Sequence, residues 1–358
     1  MAGRPQQLVP LKSQSLTFSS NYSEEVGGGF FSRLLLPVEG TLTLSGDPNM
    51  PGEGCMEWLG DVRITQNGTA LFSARALDLY HVARTLGAAS PALVTSSAAT
   101  VIRQAIDLDF AALVPGAGFD ATGKNRVGLR LDTGAIASYT NTSLTYSSGG
   151  LNVKPQLEHY GGMVTGQEII APRWQHDIVP MITESSQTIV RKTFDQRGVL
   201  FGCSFRTYDA SATSESSGRR VDTMLRRVKG RLTPNVGGFE ELFDFSWSQL
   251  RANTAKQFRV PQEQDTPGFA MYRFIDPRAR AANFGLPIEP GDSIEFHLDN
   301  ASAIESSYGS AITPATGDYA ALTWLFFQGD PAGAAQPQRG SNVVANAGAL
   351  RTGGTRRR

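Results

Sequence analysis

The chain has few cysteines, little charge and no long apolar run, and each scarcity removes a class of protein. Cys55 and Cys203 are its two cysteines in 358 residues. Two thiols make neither a disulfide framework nor a four-ligand zinc site, so two buried or partly buried thiols are expected. Charged residues make up 18%, below the usual ~25%. Basic and acidic groups number 33 each, for a net charge of zero, and a neutral chain is not a general polyanion binder. The longest apolar stretches, such as Leu34-Leu35-Leu36-Pro37-Val38, fall far short of the ~20 residues that cross a bilayer. Met1 to Phe18 holds Arg4 and Lys12 but no apolar segment, so no secretory signal is expected.

What is present points to strands. Hydrophobic residues are 40% of the chain, enough for real cores, and 38 glycines with 19 prolines suit short strands and turns better than long helices. The length favours two domains. From Phe30 onward, Leu34, Leu36, Val38, Gly40, Leu42 and Leu44 alternate as in a half-buried strand. Asp61 to Ser73 carries Asn67-Gly68 between two apolar runs. That pair is a hairpin signal, because both central positions of a type I′ turn need positive φ. Ala76, Leu77, Leu79, Tyr80, Val82, Ala83 and Leu86 then sit at helical spacing before Gly87, which predicts a helix over 74–86. Strands are predicted over 100–108, 126–131, 143–147, 151–160, 178–179, 188–194 and 198–207. Gly149-Gly150 is read as the turn between the third and fourth of these.

The two halves repeat. The first reads strand, Gly turn, strand, helix from Asp61 to Leu86. The second reads the same from Leu225-Arg-Arg-Val-Lys-Gly-Arg-Leu232, through Asn235 to Gly238 and Phe239 to Phe245, to a helix-like segment of Trp247, Leu250, Ala255 and Phe258. Downstream, Ala105-Ile106-Asp107 matches Phe274-Ile275-Asp276. Val127 to Asp132 matches Ile294 to Asp299, and Leu144-Thr145-Tyr146 matches Leu322-Thr323-Trp324. The shared order predicts one sandwich of some eight strands and a short helix, used twice. Eight strands closing into two packed sheets make a jelly roll. The expected fold is therefore all-β: two consecutive eight-stranded jelly-roll β-sandwiches, a double jelly roll, with short helices in the connections. Its expected parts are an N-terminal arm 1–14, jelly roll 1 over 15–165, jelly roll 2 over 166–330, and a flexible basic tail 331–358.

No motif for chemistry emerges. His81, His159, His176 and His297 show no metal-binding spacing, and each is expected to be a surface or hydrogen-bonded histidine. Gly116-Ala-Gly118 lacks the third glycine of a dinucleotide loop, since Ala121 stands there. Phosphate-loop and nucleophile-elbow patterns are absent. Asp132 and Asp299 fall at matching places in the two halves. A carboxylate dyad is one reading, but each ends a strand, where Asp serves a turn. Asn21, Asn67, Asn141 and Asn300 begin glycosylation sequons and read more simply as turn residues. Arg219-Arg220 and Arg226-Arg227 form a basic cluster, read as a solvated strand face rather than a contact for nucleic acid or an acidic subunit. No catalytic, cofactor-binding or metal-binding residue is assigned, and no cofactor or small-molecule substrate is expected.

Phe31-Ser-Arg-Leu-Leu-Leu-Pro-Val-Glu-Gly-Thr-Leu-Thr-Leu, then Leu59-Gly-Asp-Val-Arg-Ile-Thr-Gln-Asn-Gly and its helix, resembles the opening of phage double jelly-roll major capsid proteins. These belong to the tectivirus and adenovirus-hexon lineage. Met224 to Phe258 is similar to the start of their second jelly roll. The resemblance spans roughly residues 28–328 and lies in element order, not in an invariant motif. It implies a non-enzymatic protein of the virion, made in the host cytoplasm. Three copies would form a pseudo-hexagonal capsomer that tiles an icosahedral shell with other capsomers and pentons, usually around an internal membrane. The tail from Pro331 holds five arginines and no acidic residue. By the resemblance, Arg351, Arg356, Arg357 and Arg358 are candidate contacts for assembly, anionic lipid or genome. The competing readings are a tandem sandwich that binds glycan in a tail fibre or baseplate, and a β-sandwich hydrolase. No aromatic loop cluster supports the first, and no nucleophile or metal signature supports the second.

Overall fold

The computed structural model describes residues 7–17, 20–46, 56, 59–87, 93–94, 99–133, 144–159, 169–181, 187–209, 220–260, 266–274, 285–300 and 316–329. The first half begins with β1 (Gln7–Pro10), β2 (Gln14–Leu16), β3 (Asn21–Val26) and the long β4 (Phe30–Gly46). The hairpin β5 (Asp61–Gln66) and β6 (Thr69–Arg75) leads straight into α1 (Ala76–Thr85). Then come β7 (Leu93–Val94), β8 (Ala99–Asp109), the single turn α2 (Phe110–Leu113), β9 (Phe119–Asp120), β10 (Val127–Asp132), β11 (Leu144–Val153) and β12 (Gln156–His159). The second half holds β13 (Ala171–Pro172), β14 (Gln175–Pro180), β15 (Gln187–Thr193), β16 (Gly198–Tyr208), β17 (Leu225–Thr233) and β18 (Glu240–Ser246). It ends with α3 (Trp247–Phe258), β19 (Phe269–Arg273), β20 (Leu286–Ile288), β21 (Ser293–Asn300) and β22 (Tyr319–Gln328).

The pairing of these strands repeats element for element. In the first unit β3, β10, β5 and β6 lie side by side in that order, and β2, β11, β4 and β8 make the opposing sheet. In the second unit the orders are β15, β21, β17, β18 and β14, β22, β16, β19. In each unit a hairpin, a helix and a return to the opposite sheet follow in the same sequence. Each unit is a jelly roll, and the chain is a double jelly roll, as the repeat predicts.

Local chemistry explains the elements. Asn67 (φ 51°) and Gly68 (φ 80°) take the two positive-φ places of the predicted hairpin turn. Ser246 caps α3 by accepting from the Gln249 backbone N–H at 3.2 Å, while the Gln249 side chain accepts from the Ser246 N–H at 2.9 Å. In β21 the apolar Ile294, Phe296 and Leu298 are buried while Glu295, His297 and Asp299 face outward. β16 and β22 do not alternate: nearly every residue of both is buried. Their sheet has a core on each side. Leu200, Cys203, Phe205, Leu322, Trp324 and Phe326 pack into the second unit. Phe201, Phe269, Met271, Leu325 and Phe327 pack instead with Phe72, Tyr80, Phe110 and Trp174 of the first unit's core. Burying five such side chains is worth on the order of 10 kcal/mol as an upper bound. The units are thus fused through a shared core. Where they meet, the Ser73 N–H donates to the Trp174 carbonyl at 2.9 Å and joins β6 to β14 in one ten-stranded sheet.

Two expectations are corrected. Gly149-Gly150 is not a turn: β11 runs through it, with a bulge between Tyr146 and Ser148, and pairs with β4 throughout. The glycines serve close packing, because a Cβ on Gly40 of β4 would run into the Gly150 carbonyl. The chain turns instead at Lys154-Pro155. Within the expected N-terminal arm of residues 1–14, Gln7–Pro10 is a strand paired with β12, and Gln14, at the arm's end, begins β2, which pairs with β11.

Candidate functional site

Among the described residues, the most deeply buried ion pair lies between the two units. Asp78 sits in the first turn of α1, and Arg206 points outward from β16, on the face opposite Cys203 and Phe205. Their side chains are 1% exposed, and the Arg206 Nε donates to the Asp78 carboxylate at 2.6 Å. The Arg206 guanidinium also lies 5.8 Å from the Tyr319 ring, and the Tyr319 hydroxyl accepts from Arg75 at 3.2 Å. One turn along α1, the buried His81 ring packs 5.2 Å from Phe269 of the second unit and 5.7 Å from Tyr80. Among the described residues neither of its ring nitrogens has a hydrogen-bond partner. Burial, with Arg220, Arg206 and Arg84 close by, holds its pKa well below the ordinary histidine value. An isolated charge is costly in such a place, so the ion pair fixes how α1 sits on β16.

The solvent-facing sides of the sheets carry paired charges. On the second unit Arg227 makes a two-pronged pair with Asp244, Lys229 meets Glu241 and Asp244, and Arg191 lies 3.5 Å from Glu295. On the first unit Arg33 grips Asp107 with two hydrogen bonds of 2.6 and 2.5 Å and reaches the buried Glu158 at 2.9 Å. Those two carboxylates raise the Arg33 pKa. Beside this cluster Leu35, Pro37 and Ala105 form a half-buried apolar centre. At the tip of the second unit's hairpin, Val236 is 88% and Phe239 65% exposed, with Arg231 lying 5.1 Å from the Phe239 ring.

The residues singled out in the sequence scatter among these surfaces. Asp132 and Asp299 sit at matching strand ends but bind side chains of their own sheets: Asp132 takes Arg130 at 2.9 Å, and Asp299 takes Gln187 at 2.6 Å. The structure joins them in no dyad. His297 faces outward beside Gln187 and Glu295. His81 departs from expectation, being buried and without a hydrogen bond. Arg220 departs from the solvated reading as well: it is 4% exposed and donates to the Pro267 carbonyl. Arg226 and Arg227 do lie on a solvated strand face. Cys203 is buried, and burial raises its thiol pKa. Cys55, Asn141, Arg219, Arg351, Arg356, Arg357 and Arg358 lie outside the described residues. Among the described residues, no group of three His, Cys, Asp or Glu side chains is placed to hold a metal ion. No helix there is long and apolar enough to cross a membrane. Asp78 and Arg206 were missed because each is an ordinary charge locally; their meeting is 128 residues apart in sequence.

No protein-family model matches the chain, and no curated protein matches it by sequence. Solved structures do match by shape. The crystal structure of the STIV major capsid protein aligns over 91% of this chain and 97% of its own, with a TM-score of 0.60 and 13% identity. The atomic structure of Sulfolobus Turreted Icosahedral Virus aligns over 96% and 97%, with a TM-score of 0.63 and 12% identity. The PBCV-1 virus capsid aligns over 89% and 93%, at 0.60 and 12%. The double jelly roll of this chain is therefore the fold of major capsid proteins of archaeal and algal viruses.

Proposed function

We propose that the chain is a structural capsid protein that associates with itself to build a virion shell. The observation that carries this is the fused double jelly roll, which matches viral capsid chains over nearly the full length of both partners. Paired charges on the sheet faces suit a rigid building block. In the finer reading, three copies form a six-lobed capsomer, since three chains supply six similar jelly rolls. Neighbouring capsomers and pentons then complete an icosahedral shell. The tail from Pro331, through Arg351 and Arg356 to Arg358, contacts the inner membrane or genome as a salt-dependent anion partner. The test is sedimentation of the purified chain across a concentration series. A trimer or larger closed assembly supports the proposal. A monomer throughout, together with specific glycan binding, overturns it in favour of a binding module.

A further inference from the structure

The two units share their strand scheme but not the surroundings of their helices. α1 is buried at nine of its ten positions. Part of its cover is its own unit. The rest is the outer face of the second unit's β16 and β19, where Asp78 meets Arg206 and His81 meets Phe269. α3 holds the same place in the second unit, after the same hairpin. It buries Trp247, Leu250 and Thr254 against its own sheets and leaves Ser248, Gln249, Ala252, Ala255 and Lys256 exposed. The counterpart of the covered sheet face is the outer side of β4 and β8 in the first unit. There Leu35, Pro37 and Ala105 form an apolar centre, between the Arg33, Asp107 and Glu158 cluster on one flank and Glu39 with Lys154 on the other. An apolar centre within a rim of satisfied charges is the anatomy of a protein interface.

Among the described residues, one chain thus carries both halves of a contact that it makes once internally: a helix whose outer side is exposed, and a sheet face on which no helix is seated. Such a contact joins unlike surfaces. Repeated from copy to copy, it closes into a ring or runs on as a filament. We propose that α3 of one copy docks on the outer face of β4 and β8 of a second copy, in the seat that α1 takes on β16 and β19 within the chain. The proposal rests on the shell-building reading above and names the surface through which copies join. The side chains fit by exchange of bulk. Inside the chain, a helix bearing Leu77, Asp78 and His81 meets a strand whose outward residues include Ser204 and Arg206. Between copies, a helix face of Ser248, Ala252 and Ala255 meets Leu35, Pro37 and Ala105. The small side chains let the helix approach the larger ones closely.

The test uses the full chain in two ways. Ala252→Arg and Ala255→Arg each place an unpaired charge on the proposed contact at an exposed helical position. Melting of the isolated chain is expected to be unchanged, while self-association weakens by at least about tenfold, the cost of burying one unpaired charge. In parallel, Ala252→Cys combined with Leu35→Cys is expected to give a ladder of covalent oligomers on mild oxidation. Each single variant and the parent, which carries Cys55 and Cys203, are expected to give no ladder. Self-association that persists in both arginine variants, with no ladder from the double cysteine variant, overturns the proposed surface while leaving the shell reading standing. A parent chain that never self-associates overturns both.

Discussion

Asp78→Ala is the sharpest probe of how the two jelly rolls are joined. The substitution removes a carboxylate that is 1% exposed and leaves the Arg206 guanidinium in place, equally buried, 5.8 Å from the Tyr319 ring. Deleting one partner of a buried ion pair costs about 3–5 kcal/mol, because the remaining charge keeps its desolvation penalty and loses its counter-charge. Replacing both partners at once, as Asp78→Leu with Arg206→Met, removes both charges from the low-dielectric interior and is expected to cost far less than the sum of the single losses. Urea unfolding followed by tryptophan fluorescence reads the difference directly, since Trp174 lies in the first core and Trp324 in the second. The expected pattern is a large loss for Asp78→Ala with an unchanged denaturant slope, and strong non-additivity in the double variant. A loss below about 1 kcal/mol for Asp78→Ala, the range of an exposed pair, or simple additivity, would refute the claim that this pair locks the junction.

Three further outcomes follow from particular residues. His81 is buried neutral with its pKa held below the unfolded value of ~6.5, so its stabilisation is complete above that pH and is lost as pH falls, by about 1.4 kcal/mol per unit; His81→Leu is expected to flatten that acid slope, measured by urea midpoints between neutral and mildly acidic pH. Gly40→Val drives a side chain into the Gly150 carbonyl across the β4 and β11 pair, where backbone must move, and should lower stability by about 1–3 kcal/mol; an unchanged melting temperature would show that the two strands do not approach so closely. Truncation after Pro337 is expected to leave melting unchanged but to remove salt-dependent binding to anionic vesicles or nucleic acid, and retention of that binding would assign it elsewhere than Arg351, Arg356, Arg357 and Arg358.

Much of the fold was legible because it is written in local, repeated signals. The alternation through Leu34, Leu36 and Val38, the Asn67-Gly68 turn and the helix after it each follow from a short-range rule. The matching order downstream of Leu225 showed that the same unit recurs. The Gly149-Gly150 error arose because a glycine pair serves turns and close strand packing equally well, and only the partner strand decides between them. Burial of β16 and β22 on both faces left a trace in the runs Val199-Leu200-Phe201 and Trp324-Leu325-Phe326-Phe327, which do not alternate. Such a run states that both faces are covered but not by what. The junction was illegible for the same reason. Asp78 on a helix and Arg206 in a strand are unremarkable until folding brings them within hydrogen-bonding distance. His81 likewise looked like a surface histidine, because the Phe269 ring and the Arg220 side chain that enclose it come from the other unit.

Electron microscopy of the purified full-length chain tests the central claim most directly. A self-assembling double jelly roll predicts ring-shaped particles with six lobes built from three copies, or closed shells made of them. Isolated two-lobed particles at every concentration and salt condition would contradict it.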